Sequence, residues 1–453
     1  MVVRRAHHKV KTGCDACKKR RIKCDEGRPT CLHCTKRNLV CNYRPSDTLR
    51  RPTALIDVQV FRQRSSSPSA ESSDTLDVNE PILKTLNPPH SPKLLQALVS
   101  TGALEEFPPD QKAHIQSIVD HFEGVVAATV AVTRDGQIAW LNAIPVLCTQ
   151  HRFVLYGMLA LSSLHLSHIS EAGSTEKDAY HVTAVEQMSR GISKFQLALK
   201  SVNEENADAL FAFSATLAAY TIATTGEAYD ELKDTLAAAT LQQSAKSLDC
   251  LTMPMVRMLR ALRGQLVILV PCWYHLQQGI LSPLANRDWW PPAVPADPIS
   301  AEEDRRIQSL DKMWMRPGRA YEYYFDTLRA SLGHLRECFA LVSQLTHGEI
   351  GRHKSIIGDA VLSDYGRFDY GAVLMWSHHI SHEFSTLLEQ QIPEAWVIAA
   401  HWGLLAYRAR SAWLSNTWPS ALITVAVIVA GKEYHDFLEW PAREVDIDLA
   451  NMR

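Results

Sequence analysis

The chain has 453 residues, enough for a large buried core and a smaller appended unit. Its formal net charge is −2, but residues 1–52 carry 15 Lys and Arg against 4 Asp and Glu, which leaves −13 for the remainder. This asymmetry suggests a basic arm that binds a polyanion and an acidic body that keeps the molecule soluble. The start has no apolar signal region and the longest apolar run, 421–431, is too short for a bilayer, so we expect no membrane span and a reducing compartment.

The first predicted element is a cysteine module. Six of the ten cysteines follow the spacing C-x2-C-x6-C-x6-C-x2-C-x6-C, and its two halves are identical. Two tetrahedral zinc ions need eight ligand positions, which six thiolates supply if two of them bridge. The symmetry favours the first cysteine of each half, Cys14 and Cys31, as the bridges. We therefore expect two zinc ions per chain, held by Cys14, Cys17, Cys24, Cys31, Cys34 and Cys41.

Three other arrangements of the module are disfavoured. Disulfides conflict with the reducing compartment and with the strain of closing a C-x2-C pair. A single four-cysteine zinc site leaves two thiols unused and breaks the symmetry of the halves. His7, His8 and His33 could serve as ligands, but the six cysteines are sufficient without them.

The composition changes after residue 52. Residues 53–92 contain several prolines and the serine-rich stretch RQRSSSPSAESSD, which cannot bury enough apolar surface to fold. We therefore expect three parts: the cysteine module with its basic arm at 1–52, a flexible linker at 53–92 and a body at 93–453. No heptad pattern follows the module, so any homodimer would form through the body.

The body is predicted to be all-helical, with roughly ten helices, because apolar residues recur at three- and four-residue spacing. Strand-like alternation is nearly absent. The clearest helical segments are 110–132, 151–169, 176–202, 206–225, 253–276 and 319–345, followed by three or four more between 367 and 440.

Several body residues invite a functional interpretation. His378 and His382 lie four residues apart, which would place them on one helix face, but no zinc-hydrolase glutamate lies between them. We interpret these histidines, and also His165 and His168, as core or surface residues. The five tryptophans at 376–418 are interpreted as core rather than as a ligand pocket, and the remaining cysteines, Cys148, Cys250, Cys272 and Cys338, as buried thiols.

The spacing, the KCD after the basic run and the proline before the fourth cysteine resemble the binuclear zinc cluster of fungal transcription factors. This resemblance implies that CKKRRIKC is a recognition helix whose end enters the major groove and reads a CG-containing sequence. It places Arg20 and Arg21 at base-reading positions, where arginine can bind guanine through two hydrogen bonds. The other basic residues are expected to contact phosphates; they are Lys18, Lys19, Lys23, Lys36, Arg37 and Arg44.

The body also resembles one subtype of these factors. The segments 140–168, 206–220 and 383–425 are similar to regulators akin to the fungal sterol uptake control protein. This resemblance implies either a pathway-specific activator of a secondary-metabolite gene cluster, which we prefer, or a sterol-responsive regulator of lipid and sterol genes whose body binds a sterol. It gives no position for a ligand pocket.

These inferences together predict a nuclear, sequence-specific transcription factor of RNA polymerase II genes, and not an enzyme. Shuttling with the cytoplasm would accompany ligand control. The expected partners are double-stranded DNA, the transcription machinery, an apolar ligand such as a sterol and a second copy of the chain. No phosphate-binding loop, nucleophile elbow or catalytic carboxylate pair stands out in the sequence.

Overall fold

The structure is a computed structural model in which the chain forms two compact units, residues 1–60 and 61–453. It describes residues 15–20, 22, 24, 31–37, 93–130, 134–232, 234–236, 245–285, 294–315, 320–347, 370–408, 413–415 and 417–450. Regular structure within these ranges is helical and includes no strand, as the sequence predicts. The predicted linker, 53–92, lies outside the described residues, so the boundaries at 52 and 92 stay predictions.

The described residues of the first unit form two short helices, α1 (Asp15–Lys19) and α2 (Leu32–Thr35). Each begins one residue after the first cysteine of its half-module. In α2 the Cys31 carbonyl accepts hydrogen bonds from the amides of Cys34 (3.0 Å) and Thr35 (2.9 Å), which form its single turn. The sequence symmetry of the two halves is therefore also a symmetry of local structure.

The second unit contains sixteen α-helices within the described residues, fourteen of them with eight residues or more. In chain order they are α3 (Lys93–Ser100), α4 (Lys112–His121), α5 (Ala127–Val130), α6 (Arg134–Gln150), α7 (Arg152–Ile169), α8 (Thr175–Ala198), α9 (Ala207–Glu231), α10 (Ala245–Leu276), α11 (Ser282–Ala285), α12 (Pro298–Gln308), α13 (Phe325–His347), α14 (Tyr370–His379), α15 (His382–Glu389), α16 (Pro393–Arg408), α17 (Trp418–Ala430) and α18 (His435–Glu444).

The helix count exceeds the roughly ten expected because local signals divide the longer segments. Ser381 ends one helix and starts the next, since its hydroxyl accepts a hydrogen bond from the Phe384 amide at 3.1 Å. The predicted segment 110–132 is also divided, in this case by a π-helical turn, Phe122–Val126. The fold class is as predicted, and only the divisions within it are finer.

Helix α9 is long and apolar enough, by length and composition, to cross a membrane. In the structure, however, 67% of its most apolar 18-residue stretch is buried inside the second unit. Its Phe213 is fully buried, and its Tyr229 donates a hydrogen bond to the Leu251 carbonyl of α10 at 2.8 Å. This environment is that of a core helix packed among other helices.

Two glycines allow α7, α8 and α9 to pack closely. A Cβ atom placed on Gly157 of α7 would lie 2.8 Å from the Phe213 ring, and one placed on Gly191 of α8 would lie 2.6 Å from it. The ring of Phe213 also contacts Phe195 of α8 at a centroid distance of 4.6 Å. The missing side chains thus form the space that the phenylalanine ring fills.

We expect Gly191→Ala to destabilise the body by about 1–3 kcal/mol, because the added methyl group overlaps the Phe213 ring. The matched control is Gly226→Ala in α9, where nothing lies within 4 Å of the added carbon. That change should stabilise by up to about 1 kcal/mol through helix propensity. Urea unfolding followed by tryptophan fluorescence measures both, since all eleven tryptophans lie after residue 93. Two stabilising changes would contradict the packing account.

Four of the five tryptophans at 376–418 are fully buried core residues, as interpreted from the sequence. Trp376, Trp396, Trp402 and Trp418 are all 0% exposed. The rings of Trp376 and Trp402 lie 5.2 Å apart, and those of Trp402 and Trp418 lie 5.1 Å apart. Trp376 and Trp402 also donate to backbone carbonyls at 3.0 and 2.8 Å. The fifth, Trp413, lies apart from them and is only partly buried.

Candidate metal centre and nucleic-acid interface

The four described cysteines of the module form one buried cluster. Cys17, Cys24, Cys31 and Cys34 are each at most 4% exposed, and Ala16 packs beside them. The apolar surface that the described residues bury here is too small to stabilise a fold. A metal ion bound by the sulfur atoms would supply the missing stability.

The sulfur geometry fits a tetrahedral metal. The Sγ atoms of Cys17, Cys24 and Cys31 all lie within 4.8 Å of one another. The Cys17–Cys31 separation is 3.7 Å. A tetrahedral zinc with Zn–S bonds of about 2.3 Å requires its sulfur atoms to lie about 3.8 Å apart. Cys17 and Cys31 belong to different half-modules, so this pair is positioned as two ligands of one ion shared by both halves.

Two of the six predicted ligands, Cys14 and Cys41, lie outside the described residues. The bridging role of Cys14 therefore stays a prediction. For Cys31, the short distance to Cys17 of the other half is the arrangement that a bridge requires. A thiolate set of this kind is the donor chemistry that zinc prefers.

Two pairs of basic side chains flank the cluster at equivalent places. Lys19 and Arg20 occupy the second and third positions after the CxxC pair of the first half, and Lys36 and Arg37 occupy the same positions in the second. All four are exposed, and none forms an ion pair with a described residue. The pairs are thus available to a polyanion on both halves of the module.

The remaining predicted DNA contacts receive no structural description. Arg21, Lys23 and Arg44 lie outside the described residues, and the side chain of Lys18 is likewise not described although its backbone belongs to α1. His33, considered as a ligand, is exposed at the second position of α2. Its exposure contrasts with the buried cysteines on either side.

The interpretation of His378 and His382 as one helix face is wrong. Helix α14 ends at His379, and Ser381 caps the separate helix α15 that begins at His382. His378 instead forms 2.7 Å hydrogen bonds with the Leu374 carbonyl and the Gln265 side chain. Burial lowers its pKa to about 4, so the ring is neutral at physiological pH. Its role is to connect α10 with α14.

His165 is buried, and His121 lies 2.8 Å from it, while His168 is exposed beside Trp413. The expectation of core or surface positions for His165 and His168 agrees with this placement. The contact between His121 of α4 and His165 of α7 could not be read from the sequence, because 44 residues separate the two rings. Burial, assisted by the neighbouring His121, lowers the pKa of His165 to about 4.

The body cysteines are buried thiols with one exception. Burial raises the pKa of Cys272 to about 11 and that of Cys338 to about 12, and it raises that of Cys148 as well. Such thiols are poor nucleophiles. The prediction for Cys250 is wrong, because this residue is exposed on α10. Its apolar neighbours in sequence, such as Leu251, point into the core while Cys250 lies on the solvent side.

Comparison with known families agrees with this geometry. Residues 12–50 match the fungal Zn(2)-Cys(6) binuclear cluster domain, and residues 117–238 match the fungal specific transcription factor domain. No solved structure matches the chain. The two domains together account for the cysteine module and for part of the helical body.

Three relatives illustrate the range of similarity. A Zn(2)-C6 fungal-type transcription factor of Gibberella zeae is 22% identical over 99% of this chain and 88% of its own length. The factor afumD of Aspergillus fumigatus is 28% identical over 46% of this chain and 45% of its own. Sterol uptake control protein 2 of Saccharomyces cerevisiae is 40% identical over 19% of this chain and 9% of its own. The chain thus spans less than half the length of two of these relatives.

The cysteine spacing, the clustered thiols and the matched domains agree with one another. The binuclear cluster domain binds two zinc ions, and the described sulfur geometry fits such ions. The chain therefore contains a fungal Zn(2)-Cys(6) binuclear cluster domain and a fungal specific transcription factor domain, and it is similar to Zn(2)-C6 fungal-type transcription factors.

Proposed function

We propose that the chain is a nuclear, sequence-specific DNA-binding transcription factor of RNA polymerase II genes. The observation that carries this proposal is the buried cysteine cluster flanked by two equivalent pairs of exposed basic side chains. A metal cluster fixes the backbone, so the basic residues beside it have defined positions. The same residues on an unfolded tail would not. Held cations can match the spacing of phosphates on a duplex.

The proposed zinc ligands follow the symmetry of the module. Cys14 and Cys31 bridge the two ions, and each ion completes its tetrahedron with two cysteines of one half. The ligands of the first ion are Cys14, Cys17, Cys24 and Cys31, and those of the second are Cys14, Cys31, Cys34 and Cys41.

The proposed DNA contacts divide into two kinds. Arg20 and Arg21 read base edges in the major groove, where each can form a two-hydrogen-bond contact with guanine. The other basic residues bind phosphates and set the register on the duplex; they are Lys18, Lys19, Lys23, Lys36, Arg37 and Arg44. The exposure of Lys19, Arg20, Lys36 and Arg37 leaves these four side chains accessible to a duplex.

The two kinds of contact predict different mutant behaviour. Arg20→Ala should lose about 1–3 kcal/mol of discrimination between the preferred and a scrambled duplex. Lys36→Ala should weaken binding to both duplexes alike and lower the salt dependence by about one counterion. Fluorescence anisotropy over a salt series measures both effects. Arg305→Ala, an exposed arginine on α12, is the matched control, and identical behaviour of Arg20→Ala and Lys36→Ala would contradict the division.

For the target genes, we propose activation of a secondary-metabolite gene cluster. The similarity to afumD extends over 210 residues and so reaches well beyond the zinc module. The similarity to the sterol uptake control protein covers only 85 residues, so it carries little information about the body. Mapping of bound promoters across the genome tests the choice, because clustered biosynthetic genes and sterol genes are separate sets of targets.

The second candidate is a sterol-responsive regulator of lipid and sterol genes, favoured by the 40% identity with sterol uptake control protein 2. It would require the body to bind an apolar ligand and would couple binding to shuttling between cytoplasm and nucleus. Sterol recovered with the purified full chain would support it. If no sterol is recovered under the same conditions, the sterol-responsive candidate is contradicted and the gene-cluster activator is favoured.

We further propose that the body has no catalytic activity and acts through protein contacts, including the transcription machinery and a second copy of the chain. The buried, neutral His378 and the thiols with raised pKa values support a structural role for these groups. Sedimentation of the full chain would test self-association. Turnover by the purified chain would contradict the non-catalytic proposal.

A further inference from the structure

The second unit contains an open cavity of about 310 Å³ between the end of α12, α16 and α18. Its volume lies at the small end of the range for ligand pockets, about 300–1,000 Å³. Leu310 and Phe437 supply apolar lining, and Trp440 forms part of the wall. These are dimensions for a small metabolite and not for a sterol.

One wall of the cavity is held in place by two cation–π contacts. The guanidinium of Arg306 lies 5.5 Å from the centre of the Trp440 ring, and that of Arg408 lies 5.4 Å from it. Arg408 is itself fixed by an ion pair with Glu303 at 2.5 Å. The wall is therefore preformed, which lowers the entropic cost of binding a ligand.

A buried histidine presents an unused acceptor to this cavity. His401 of α16 lines the cavity although the residue is only 2% exposed. Its Nδ1–H donates to the Val397 carbonyl at 2.8 Å, which makes Nε2 the acceptor nitrogen of the neutral ring. That Nε2 atom has no hydrogen-bond partner among the described residues. Because the ring lines the cavity, a donor group of a ligand in the cavity could form a hydrogen bond with this nitrogen.

Charged side chains of both signs border the same cavity on one face of α18. Asp436, Glu439 and Arg443 line it, and none of their side chains forms a hydrogen bond or ion pair with a described residue. Glu439 and Arg443 are four residues apart, a spacing at which such residues commonly pair on a helix. Here they remain apart, with the cavity beside them.

From this arrangement we infer that the cavity binds a small zwitterion, an α-amino acid with an apolar side chain. Arg443 receives the carboxylate, while Asp436, Glu439 and the His401 acceptor receive the ammonium group. The apolar side chain lies against Leu310 and Phe437. Neither a simple anion nor a simple cation would use both sets of charges. The inference concerns the body alone and extends the proposed function by an effector site.

Calorimetric titration of the full chain with L-leucine and L-phenylalanine tests the inference. We expect at least one of them to bind, and we expect its single-charge analogues to bind about 10-fold more weakly or worse, since each analogue loses a charge-assisted hydrogen bond. For leucine these analogues are 4-methylpentanoate and 3-methylbutylamine. The inference is overturned if neither amino acid binds at millimolar concentration, or if an analogue binds as tightly as its parent.

A pair of variants locates the site. Arg443→Gln should weaken amino-acid binding by about 10- to 100-fold, because it removes the partner of the carboxylate. Both Arg443 and the control Arg257 are exposed and lack ion-pair partners among the described residues, so neither change should disturb folding. Arg257→Gln, on α10 and outside the cavity, should bind like the unmodified chain. Equal affinity of the two variants would overturn the assignment. DNA binding is measured separately, so its failure would be distinct from this result.

Discussion

Replacement of Cys31 by serine is expected to remove both zinc ions and to abolish specific DNA binding. As the proposed bridge, Cys31 supplies one ligand to each ion, so its loss leaves both tetrahedra incomplete. Zinc binding supplies most of the folding free energy of so small a module, on the order of 10–16 kcal/mol. Native mass spectrometry should give two zinc ions for the unmodified chain and fewer than one for Cys31→Ser. Affinity for the preferred duplex should fall to the non-specific level, a loss of about 1,000-fold or more.

The matched control is Cys250→Ser, because Cys250 is an exposed cysteine in the other unit. This variant should retain two zinc ions and full affinity. Tryptophan fluorescence should be unchanged in both variants, since every tryptophan lies in the body. Two zinc ions retained in Cys31→Ser would contradict the bridging role and with it the binuclear arrangement.

Mild acid is expected to destabilise the body. Burial lowers the pKa of His165, His378 and His401 to about 4, compared with 6.5 for an ordinary histidine. Between these values the unfolded chain binds protons that the folded chain does not. Stability is therefore complete above pH 6.5 and declines as the pH falls toward 4, by about 1.4 kcal/mol per pH unit for each histidine at most. Urea unfolding followed by tryptophan fluorescence at pH 7 and pH 5 measures the decline.

His401→Gln should reduce this decline by less than one third, because burial lowers the pKa of His121, His151, His379 and His435 as well. Burial also raises the pKa of the carboxyls of Asp208 and Glu227, and their protonation acts in the opposite direction, so the variant and the unmodified chain are compared at the same two pH values. If the urea concentration at the unfolding midpoint of the unmodified chain is the same at pH 7 and pH 5, the proposed effect of the buried histidines is contradicted.

The sequence predicts the metal chemistry well because ligand spacing is a local property. Six cysteines in two identical halves must supply eight ligand positions, which leaves few arrangements other than two zinc ions with two bridging thiolates. The distance of 3.7 Å between the sulfur atoms of Cys17 and Cys31 agrees with this arrangement. The all-helical class was predictable for a similar reason, since apolar periodicity extends through most of the body. Domain boundaries and the roles of individual DNA contacts remain predictions.

Other features depend on local capping or on distant contacts. The helix break at Ser381 rests on one hydroxyl hydrogen bond, which helical periodicity across 370–389 conceals. The exposure of Cys250 depends on which face of α10 meets the core. The cavity brings together Arg306, His401 and Arg443, three positions on three helices that no spacing rule connects. Such contacts are determined by tertiary packing, which a single sequence does not display.

The central claim is that a zinc-dependent module reads DNA sequence. Selection of bound duplexes from a random pool by the full chain, with zinc and again after chelation, tests it most directly. The account predicts enrichment of a CG-containing motif with zinc and loss of that enrichment after chelation. Equal enrichment in both conditions, or none in either, would contradict it.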